Sequence, residues 1–595
     1  MYSYFTKIEH HSAPPWRYFD VQRQKIIIRA ISTTDLVDME LLYNDPFAYE
    51  KTGDEWRWRY KTARFCKQIC SDSAFMWRVE IDVPPRRRLK YGFRASFDNN
   101  EICWFSEWGL EPFSDERVNT PHNHFFYPFI HAVDAPKTPQ WVENTVWYQI
   151  FPDRFYRSGA SVPPTTLADW EKDKPTSNSF FGGDLEGIRL KLGYLKDLGV
   201  NGIYLTPIFQ SPSNHKYNTE DYFNIDEHFG GTGALKALVA DAHDLGFRVM
   251  LDAVFNHIGS SHPFWRDVID RQEESPYKDF FHIHNFPVKE RFGESIDYDC
   301  FAFTPHMPKW NTENPQARKY LLDAALYWIK ECDIDAWRLD VANEVSFDFW
   351  REFSTLVHEA KPDFYVVGEV WDDASEWVNR GFFDAAMNYP LGYAVSAFFL
   401  KNNIDAQTFA DTLFRALSRY DDSHNRVAFN LLDSHDTERA LTTAHGNKQA
   451  LRNAFTVLFL LPGSPCIYYG DEIGMGGGGD PQCRGPMVWD EALQDKGLLT
   501  FFQRLVRFRL ANIDIINNSA LSFTEDEGVC WRLTPPAPAT HGLTVVYTGE
   551  RAERLEDLER RFGPLVFSTL DDETDKSSIT PHTLRVFKYF TMGVV

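Results

Sequence analysis

Between residues 145 and 470 the sequence alternates short apolar runs with helical segments, and this alternation limits the fold more than any other feature. Eight such runs are centred near residues 147, 203, 250, 338, 366, 386, 429 and 467. Two of the early helical segments stop at Gly199 and Gly246, a residue type favoured just past a helix end. Eight strands alternating with helices predict a (β/α)8 barrel, in which functional residues lie at the carboxyl ends of the strands.

Four of these runs end on polar or ionisable side chains. Arg338 and Asp340 are two residues apart, so in a strand they project to the same side. The other three runs end on Asn256-His257, on Glu369 and on His435-Asp436. Taken alone, such residues are more often a structural ion pair, a structural donor or a helix N-cap than a functional site. Agreement among four strand ends favours a functional site.

The flanking regions have a different periodicity. Up to about residue 125 apolar and polar residues alternate, which predicts an N-terminal antiparallel β-sandwich over residues 1–125. The barrel is predicted over residues 140–510. The excess length after its third strand is rich in aromatic residues, histidine and proline, and predicts an inserted domain over residues 258–312. The β pattern returns after residue 510 and predicts a C-terminal β-sandwich over residues 511–595.

The composition narrows the range of partners. The 62 basic and 85 acidic residues give a net charge of −23 without a Lys/Arg-rich run, so neither nucleic acid nor an anionic membrane is an expected partner. Aromatic residues make up 16% of the chain, and their faces suit the apolar faces of sugars, although an aromatic-rich core explains them equally. The eight cysteines are scattered, and no secretory signal or membrane-length apolar run is present. A cytoplasmic protein is expected.

The two acids on adjacent strands favour glycoside hydrolysis. Retaining glycosidases hold a nucleophilic carboxylate and a proton-donating acid roughly 5 Å apart, a separation that neighbouring barrel strands can supply. Arg338 would stabilise the ionised form of Asp340 and lower its pKa, as a nucleophile requires. Glu369 follows an apolar strand and precedes Trp371, so it is better placed to keep its proton as the acid.

Other strand-end residues fit the same chemistry. His257 and His435 can donate to sugar hydroxyls, and Asp436 can bind ring hydroxyls and favour the distorted, oxocarbenium-like sugar. A metal site built from the same acids and histidines is the chemical alternative. No histidine pair has the i, i+4 helical spacing of a zinc protease, however.

Several segments carry a family resemblance. Residues 252–257, 337–345, 368–371 and 434–436 resemble the four ordered sequence regions of the α-amylase superfamily. Residues 307–311, 341–344 and 476–484 are similar to the cyclomaltodextrinase, neopullulanase and maltogenic amylase group within it. The resemblance covers nearly the whole chain, since that group also has an N-terminal starch-binding-like sandwich and a C-terminal β domain.

The resemblance implies a retaining hydrolase of α-1,4-glucans. Its expected substrates are cyclodextrins and maltooligosaccharides, with pullulan, starch and transglycosylation as further activities of the group. It assigns Asp340 as nucleophile, Glu369 as acid/base and Asp436 as transition-state stabiliser. Substrate-binding roles fall by position on Tyr217, which stacks on the sugar, on Asp480 and Arg484, which grip the preceding sugar, and on Glu344 and Trp371, which line the acceptor side. It also implies a homodimer in which each N-terminal domain narrows its partner's cleft.

Some positions depart from the group's pattern. Asn218 stands where the group has Asp, and Trp310 where it has Leu, which would change the shape of the cleft. The residues after Phe155 lack the Asn/Asp cluster that binds calcium in several relatives, so no cofactor is expected and calcium binding stays open. The alternatives are a trehalose-forming or glucan-transferring enzyme on the same barrel and a non-catalytic glycan-binding relative, which the three intact acids disfavour.

Overall fold

The computed structural model describes residues 7–164, 166–289, 297–524, 529–536, 539–549, 553–570 and 581–590. The chain forms two compact units. The larger comprises residues 138–403 and 426–513, and the smaller comprises residues 1–137, 404–425 and 514–595. No helix within the described ranges has the length and apolar character needed to span a membrane.

The larger unit is built on eight parallel strands. They are β1 (Trp147–Ile150), β2 (Gly202–Leu205), β3 (Arg248–Ala253), β4 (Ala336–Leu339), β5 (Tyr365–Gly368), β6 (Ala385–Ala386), β7 (Phe429–Asn430) and β8 (Ser464–Tyr468). The strands pair in the order β6-β5-β4-β3-β2-β1-β8-β7, and a bridge from Met387 to Phe429 joins the two ends. All eight predicted strands are confirmed, and the sheet is a nearly closed (β/α)8 barrel.

Large apolar side chains fill the barrel. Trp147, Tyr204, Met250, Tyr365 and Phe429 come from five strands and are all buried. The Trp147 ring stacks on Tyr365 with 6.0 Å between ring centroids. Because side chains alternate along a strand, the same inward row continues into polar residues where each strand ends.

Helices cover the barrel and end where the sequence indicates. They are Leu185–Leu190 and Leu192–Leu198 after β1, Gly231–Asp244 after β2, Pro315–Cys332 after β3, Phe347–Ala360 after β4, Ser375–Val378 after β5, Tyr389–Val395 with the π-turn Ser396–Leu400 after β6, Ala440–Thr443 and Lys448–Leu460 after β7, and Lys496–Ala511 after β8. The second of these ends at Gly199 with φ 97°, a left-handed conformation that glycine adopts without steric cost.

The segment between β3 and the helix Pro315–Cys332 has its own small core. It contains the helix Pro263–Arg271, and Trp265 packs between Phe281 and Tyr298 with centroid distances of 4.9 and 4.5 Å. A bridge between His257 and Lys309 closes its base. This excursion begins directly after the end of β3 and so lies beside the predicted site.

The smaller unit contains two antiparallel sheets from the N-terminal region. One includes Ile8–Glu9, Arg17–Asp20, Lys25–Ser32, Cys66–Cys70 and Phe75–Asp82, and the other includes Asp38–Asn44, Lys61–Arg64, Leu89–Ser96, Ile102–Ser106, Gly109–Pro112 and Phe125–Tyr127. A shared apolar core, including Ile26, Ile28, Leu41, Val79 and Phe93, lies between them. A separate hairpin pairs Tyr49–Thr52 with Glu55–Trp58.

The C-terminal strands extend the first of these sheets. Ala520–Thr524 pairs in parallel with Cys66–Cys70, and Val529–Thr534, His541–Tyr547, Leu584–Phe590 and Leu565–Ser568 follow in that order. The helix Leu555–Phe562 packs Leu555 and Leu558 against Val546 and Phe587. The helix Ala406–Ser418 also belongs to this unit. The boundaries predicted at residues 125, 140 and 510 remain a proposal about how the chain divides into domains.

Candidate active site

A single buried guanidinium organises the strand ends. Arg338 of β4 has its Nη1 2.7 Å from Asp340 Oδ1 and 3.0 Å from Asp252 Oδ1. Its Nη2 lies 2.7 Å from Glu369 Oε1 in an ion-pair contact. The sequence places Arg338 beside Asp340 alone, whereas the structure brings three carboxylates to it, from the ends of β3, β4 and β5. Adjacent nitrogens of one planar group therefore hold Asp340 and Glu369 side by side.

Asp340 is buried, and its two carboxylate oxygens differ in their contacts. Oδ1 contacts Arg338, while Oδ2 has no hydrogen-bond donor in the described part of the chain. Burial raises the pKa of Asp340, Arg338 opposes that rise, and the neighbouring Glu369 and Asp252 add to it. The predicted lowering of this pKa is therefore wrong, because the burial of Asp340 and the charges of its two acidic neighbours outweigh one arginine.

Two N–H donors, the Val341 backbone amide and the Trp371 indole, fix the Glu369 carboxyl group. The N–H of Val341 donates to Glu369 Oε2 at 2.9 Å, and Trp371 Nε1 donates to Oε1 at 3.1 Å. Val341 has φ 45°, a left-handed conformation that is costly for a β-branched residue and is typical of functional sites. The Trp371 ring stacks on Tyr389 at 4.5 Å and is 40% exposed, so it fixes the acid and still presents a surface.

A hydrogen-bond chain joins Asp252 to His435. Tyr204 and Tyr217 donate to Asp252 Oδ2 at 2.7 and 2.9 Å, and the Tyr217 hydroxyl lies 2.5 Å from His435 Nε2. Gln149 Nε2 lies 2.8 Å from Nδ1 of the same histidine. Burial lowers the pKa of His435 well below its usual range and raises that of Asp252 to about 6. A neutral His435 that accepts at Nδ1 donates from Nε2, which fits both contacts.

Asp436 lies beside an arginine supplied by the loop after β8. Arg484 Nη2 is 3.3 Å from Asp436 Oδ1, and its Nη1 is 3.0 Å from Asp480. The Arg484 Nε donates to the carbonyl of His435 at 2.8 Å. Burial raises the pKa of Asp436, while Arg338 and Arg484 oppose the rise. The ends of β7 and β8 are thereby joined at the site.

One cavity collects most of the predicted residues. Its volume is about 490 Å³, and it is lined by His215, Tyr217, His257, Phe301, Met307, Asp340, Val341, Asn343, Glu369, Trp371, Asp436, Asp480 and Arg484. The His257 ring stacks on Phe301 at 5.0 Å, and burial lowers the pKa of His257 to about 3, which keeps it neutral. Arg338 and His435 lie behind this wall, which suits positioning better than direct contact with a sugar.

A second cavity shares the lining residue Asn343 with the first. It measures about 420 Å³ and is lined by residues including Glu344, Lys309, Asp299 and Trp377. The predicted acceptor-side residue Glu344 lies here, where Lys309 Nζ donates to its Oε2 at 2.9 Å. Trp310 borders this cavity but is only 1% exposed, because its ring stacks on Phe281 at 5.1 Å. The sequence does not predict Phe301, Met307, Asn343 or His215 as site residues. Met307 and Asn343 lie in segments that resemble the family group, and His215 is two residues before Tyr217.

The residues near the expected calcium position do not suit a cation. Arg154 Nε donates to Asp153 Oδ2 at 2.7 Å, and the amides of Phe181 and Gly182 donate to the same carboxylate. Ser158 and Ser161 donate to Asp184. An arginine and hydroxyl donors thus occupy the carboxylate oxygens that calcium would need. The described residues contain no cluster of three His, Cys, Asp or Glu side chains suited to a metal.

A (β/α)8 barrel with two carboxylates on adjacent strand ends, and a third facing them across a cavity, defines a glycoside hydrolase site. The Alpha amylase catalytic-domain family model matches residues 149–507, and the Alpha amylase N-terminal ig-like domain model matches residues 5–131. The chain belongs to the α-amylase family.

Two relatives and one solved structure show the same relationship. An intracellular maltogenic amylase of Bacillus subtilis (strain 168) is 46% identical over 475 residues, covering 80% of this chain and 79% of the relative. A cyclomaltodextrinase of Geobacillus thermopakistaniensis is 46% identical over 506 residues, covering 84% of each. A solved cyclomaltodextrinase has a TM-score of 0.84 and 36% identity, covering 99% of this chain and 98% of that one. The predicted family, fold class and glycosidase activity are confirmed.

Proposed function

We propose that this chain hydrolyses α-1,4-glucosidic bonds of cyclodextrins and maltooligosaccharides with retention of anomeric configuration. The observation that carries the proposal is the placement of Asp340 and Glu369 on one guanidinium, in the wall of a cavity that Asp436 also lines. This arrangement matches the close carboxylate pair that retaining glycosidases use.

In the first step Asp340 attacks the anomeric carbon, and the bond to the leaving oxygen breaks as Glu369 gives that oxygen its proton. In the second step Glu369 takes a proton from water, whose oxygen attacks the same carbon and releases Asp340. Oδ2 of Asp340, which accepts no hydrogen bond from the described residues, is the oxygen that forms the bond to the sugar. Asp436 and the neutral His257 bind the ring hydroxyls of the sugar.

The charge balance of the site supports the proton that this mechanism needs. Asp252, Asp340 and Glu369 contact one arginine, so full ionisation would leave two uncompensated negative charges in a buried cluster. Such a cluster holds a proton that belongs to the group rather than to one residue. When a sugar enters, the Glu369 carboxyl is the one whose proton meets the leaving oxygen.

The names of the relatives support the choice of substrate. They are named for maltogenic amylase and cyclomaltodextrinase activity. Glucan transfer and trehalose formation share the first chemical step and differ in what attacks the glycosyl-enzyme. We propose cytoplasmic action, because the Bacillus subtilis relative is named intracellular.

A homodimer through the N-terminal region is part of this proposal. The hairpin Tyr49–Thr52 and Glu55–Trp58 pairs Tyr49 with Trp58 and Lys51 with Trp56, which puts three aromatic rings on one face. Trp58 is buried at 3% exposure, whereas Tyr49 is 37% exposed, Trp56 65% and Phe47, beside the hairpin, 71%. The other face is charged. An exposed aromatic patch of this kind suits a second copy of the chain.

Product analysis with β-cyclodextrin, pullulan and maltotriose tests the activity, and proton NMR of the first product tests retention. Glu369→Gln should keep the fold and remove nearly all hydrolysis, because it deletes the proton donor and keeps the shape. Full activity in that variant would contradict the role of Glu369. Light scattering tests the dimer: Trp56→Ser should shift the chain toward monomer, whereas Trp108→Ser, at a 57% exposed position off the hairpin, should not.

A further inference from the structure

The loop after β8 presents Arg484 from a turn that has little stability of its own. Residues 482–484 form a single 3₁₀ turn, and residues 476–479 before it are all glycine. A 3₁₀ turn has poor hydrogen-bond geometry, and glycine loses more backbone freedom than other residues when it is fixed. The Arg484 guanidinium nevertheless contacts both Asp436 and Asp480 at the catalytic cavity. Its position therefore depends on contacts from other parts of the barrel.

Three side chains from outside the turn bind its carbonyl groups. The carbonyls belong to three consecutive residues, Cys483, Arg484 and Gly485. Their donors are, in the same order, Arg439 Nε at 2.9 Å, Arg154 Nη1 at 2.6 Å and the Tyr469 hydroxyl at 2.5 Å. The last carbonyls of a helical turn lack partners within it, and positive groups are favoured there. The turn is therefore fixed at the end that carries Arg484.

Arg154 joins the loop after β1 to this turn in both directions. Its side chain donates to the Arg484 carbonyl, and its own carbonyl accepts from the amide of Met487 at 2.8 Å. Its Nε donates to Asp153 at 2.7 Å, and its Nη2 donates to the carbonyl of Ser179 at 2.8 Å. All three nitrogens of the guanidinium are thus engaged, and the residue is only 1% exposed. A planar group bonded on several sides gives the turn a rigid support.

Arg439 supports the same turn from the loop after β7. Its Nη1 donates to the carbonyl of Tyr469 at 2.8 Å and to Asp471 Oδ1 at 3.1 Å, and the residue is fully buried. Arg439 lies three residues after Asp436 in the sequence. It therefore connects the loop that carries this acid to the turn that carries Arg484. Neither Arg439 nor Arg154 is among the residues that line the catalytic cavity.

We propose that Arg154, Arg439 and Tyr469 are positioning residues that hold Arg484 in place for the sugar preceding the cleavage point. They act through the backbone of the turn and do not touch the sugar. The effect on sugar binding rests on the proposed function, whereas the fixed turn does not. The preceding sugar is bound in the ground state and in the transition state alike, so a displaced Arg484 raises KM more than it lowers kcat.

Hydrogen exchange of the full chain without substrate tests the fixed turn. Arg154→Met removes the donors and retains a long side chain. The backbone amides of residues 476–487 should then exchange at least about tenfold faster than in the wild type, because the turn opens more often. Arg157→Met is the matched control, since Arg157 in the same loop donates instead to the carbonyls of Phe181 and Ala168. Unchanged exchange in Arg154→Met, or equal changes in the two variants, would overturn the proposal.

Steady-state kinetics with β-cyclodextrin test the positioning role. Arg154→Met and Arg439→Met should each raise KM by roughly 10- to 100-fold with a smaller fall in kcat, since small displacements of binding groups have effects of that size. Arg154→Lys should recover part of this loss, because an ammonium can still donate to one carbonyl. Partial unfolding would instead lower kcat and leave KM unchanged. That pattern, or wild-type kinetics in both Met variants, would overturn the role.

Tyr469→Phe keeps the test decisive where a Met variant does not fold. It deletes only the hydroxyl that donates to the Gly485 carbonyl and keeps the ring. KM should rise by about threefold, in line with the loss of one hydrogen bond, and an unchanged KM would contradict the role. If the wild type does not hydrolyse β-cyclodextrin while the exchange result holds, the proposed function fails and the fixed turn stands.

Discussion

Removing the guanidinium of Arg338 is the most informative single change to the catalytic cluster. Arg338→Met keeps much of the volume and removes the cation that contacts Asp252, Asp340 and Glu369. Breaking a buried ion pair on one side costs about 3–5 kcal/mol. If that cost falls on the organised, ionised state of the site, kcat/KM should drop by roughly 150- to 5,000-fold.

The pH dependence of kcat/KM separates an electrostatic effect of this substitution from a purely structural one. Arg338 opposes the rise in the pKa of Asp340, so its removal lets that pKa climb further. Asp340 must be ionised to attack, and the acidic limb of the kcat/KM profile should therefore move to higher pH in Arg338→Met. Arg338→Lys keeps the positive charge but lacks the planar guanidinium that contacts three carboxylates. It should therefore restore part of the activity, and its acidic limb should lie close to that of the wild type.

The assay is hydrolysis of β-cyclodextrin across pH, with circular dichroism and thermal unfolding to verify folding at each pH used. A folded Arg338→Met enzyme whose activity falls while its acidic limb stays in place would refute the electrostatic reasoning. A loss smaller than about tenfold would show that the three acids are organised without the arginine.

Two further predictions concern separate parts of the chain. Tyr217→Phe removes the hydroxyl between Asp252 and His435. The loss of one hydrogen bond at each group should lower kcat by about tenfold, measured with β-cyclodextrin, and an unchanged kcat would contradict the hydrogen-bond chain. Gly92→Ala would put a methyl carbon 2.2 Å from the Trp104 ring, whereas a methyl group at Gly193 would have nothing within 4 Å. The free energy of unfolding should fall by about 1–3 kcal/mol in Gly92→Ala and should not fall in Gly193→Ala. Equal stabilities of the two variants would contradict this packing.

The sequence predicts the barrel well because its signals are local. Each strand is a short apolar run that ends on polar residues, and the regular spacing of these runs sets the parallel order. Arg338 and Asp340 share a side of β4 for the same reason, as their 2.7 Å contact confirms. The strands of the barrel and the shared side of Arg338 and Asp340 therefore follow from the sequence alone.

Contacts between residues that are far apart in the sequence could not be predicted in this way. That Asp252 and Glu369 also meet Arg338 depends on how neighbouring strands are staggered, which no local pattern encodes. The parallel pairing of residues 69 and 521 likewise joins two strand edges that carry no sequence label for one another. Burial of Asp340 among those acids raises its pKa, whereas the sequence shows only the neighbouring arginine and so predicts a lowered pKa.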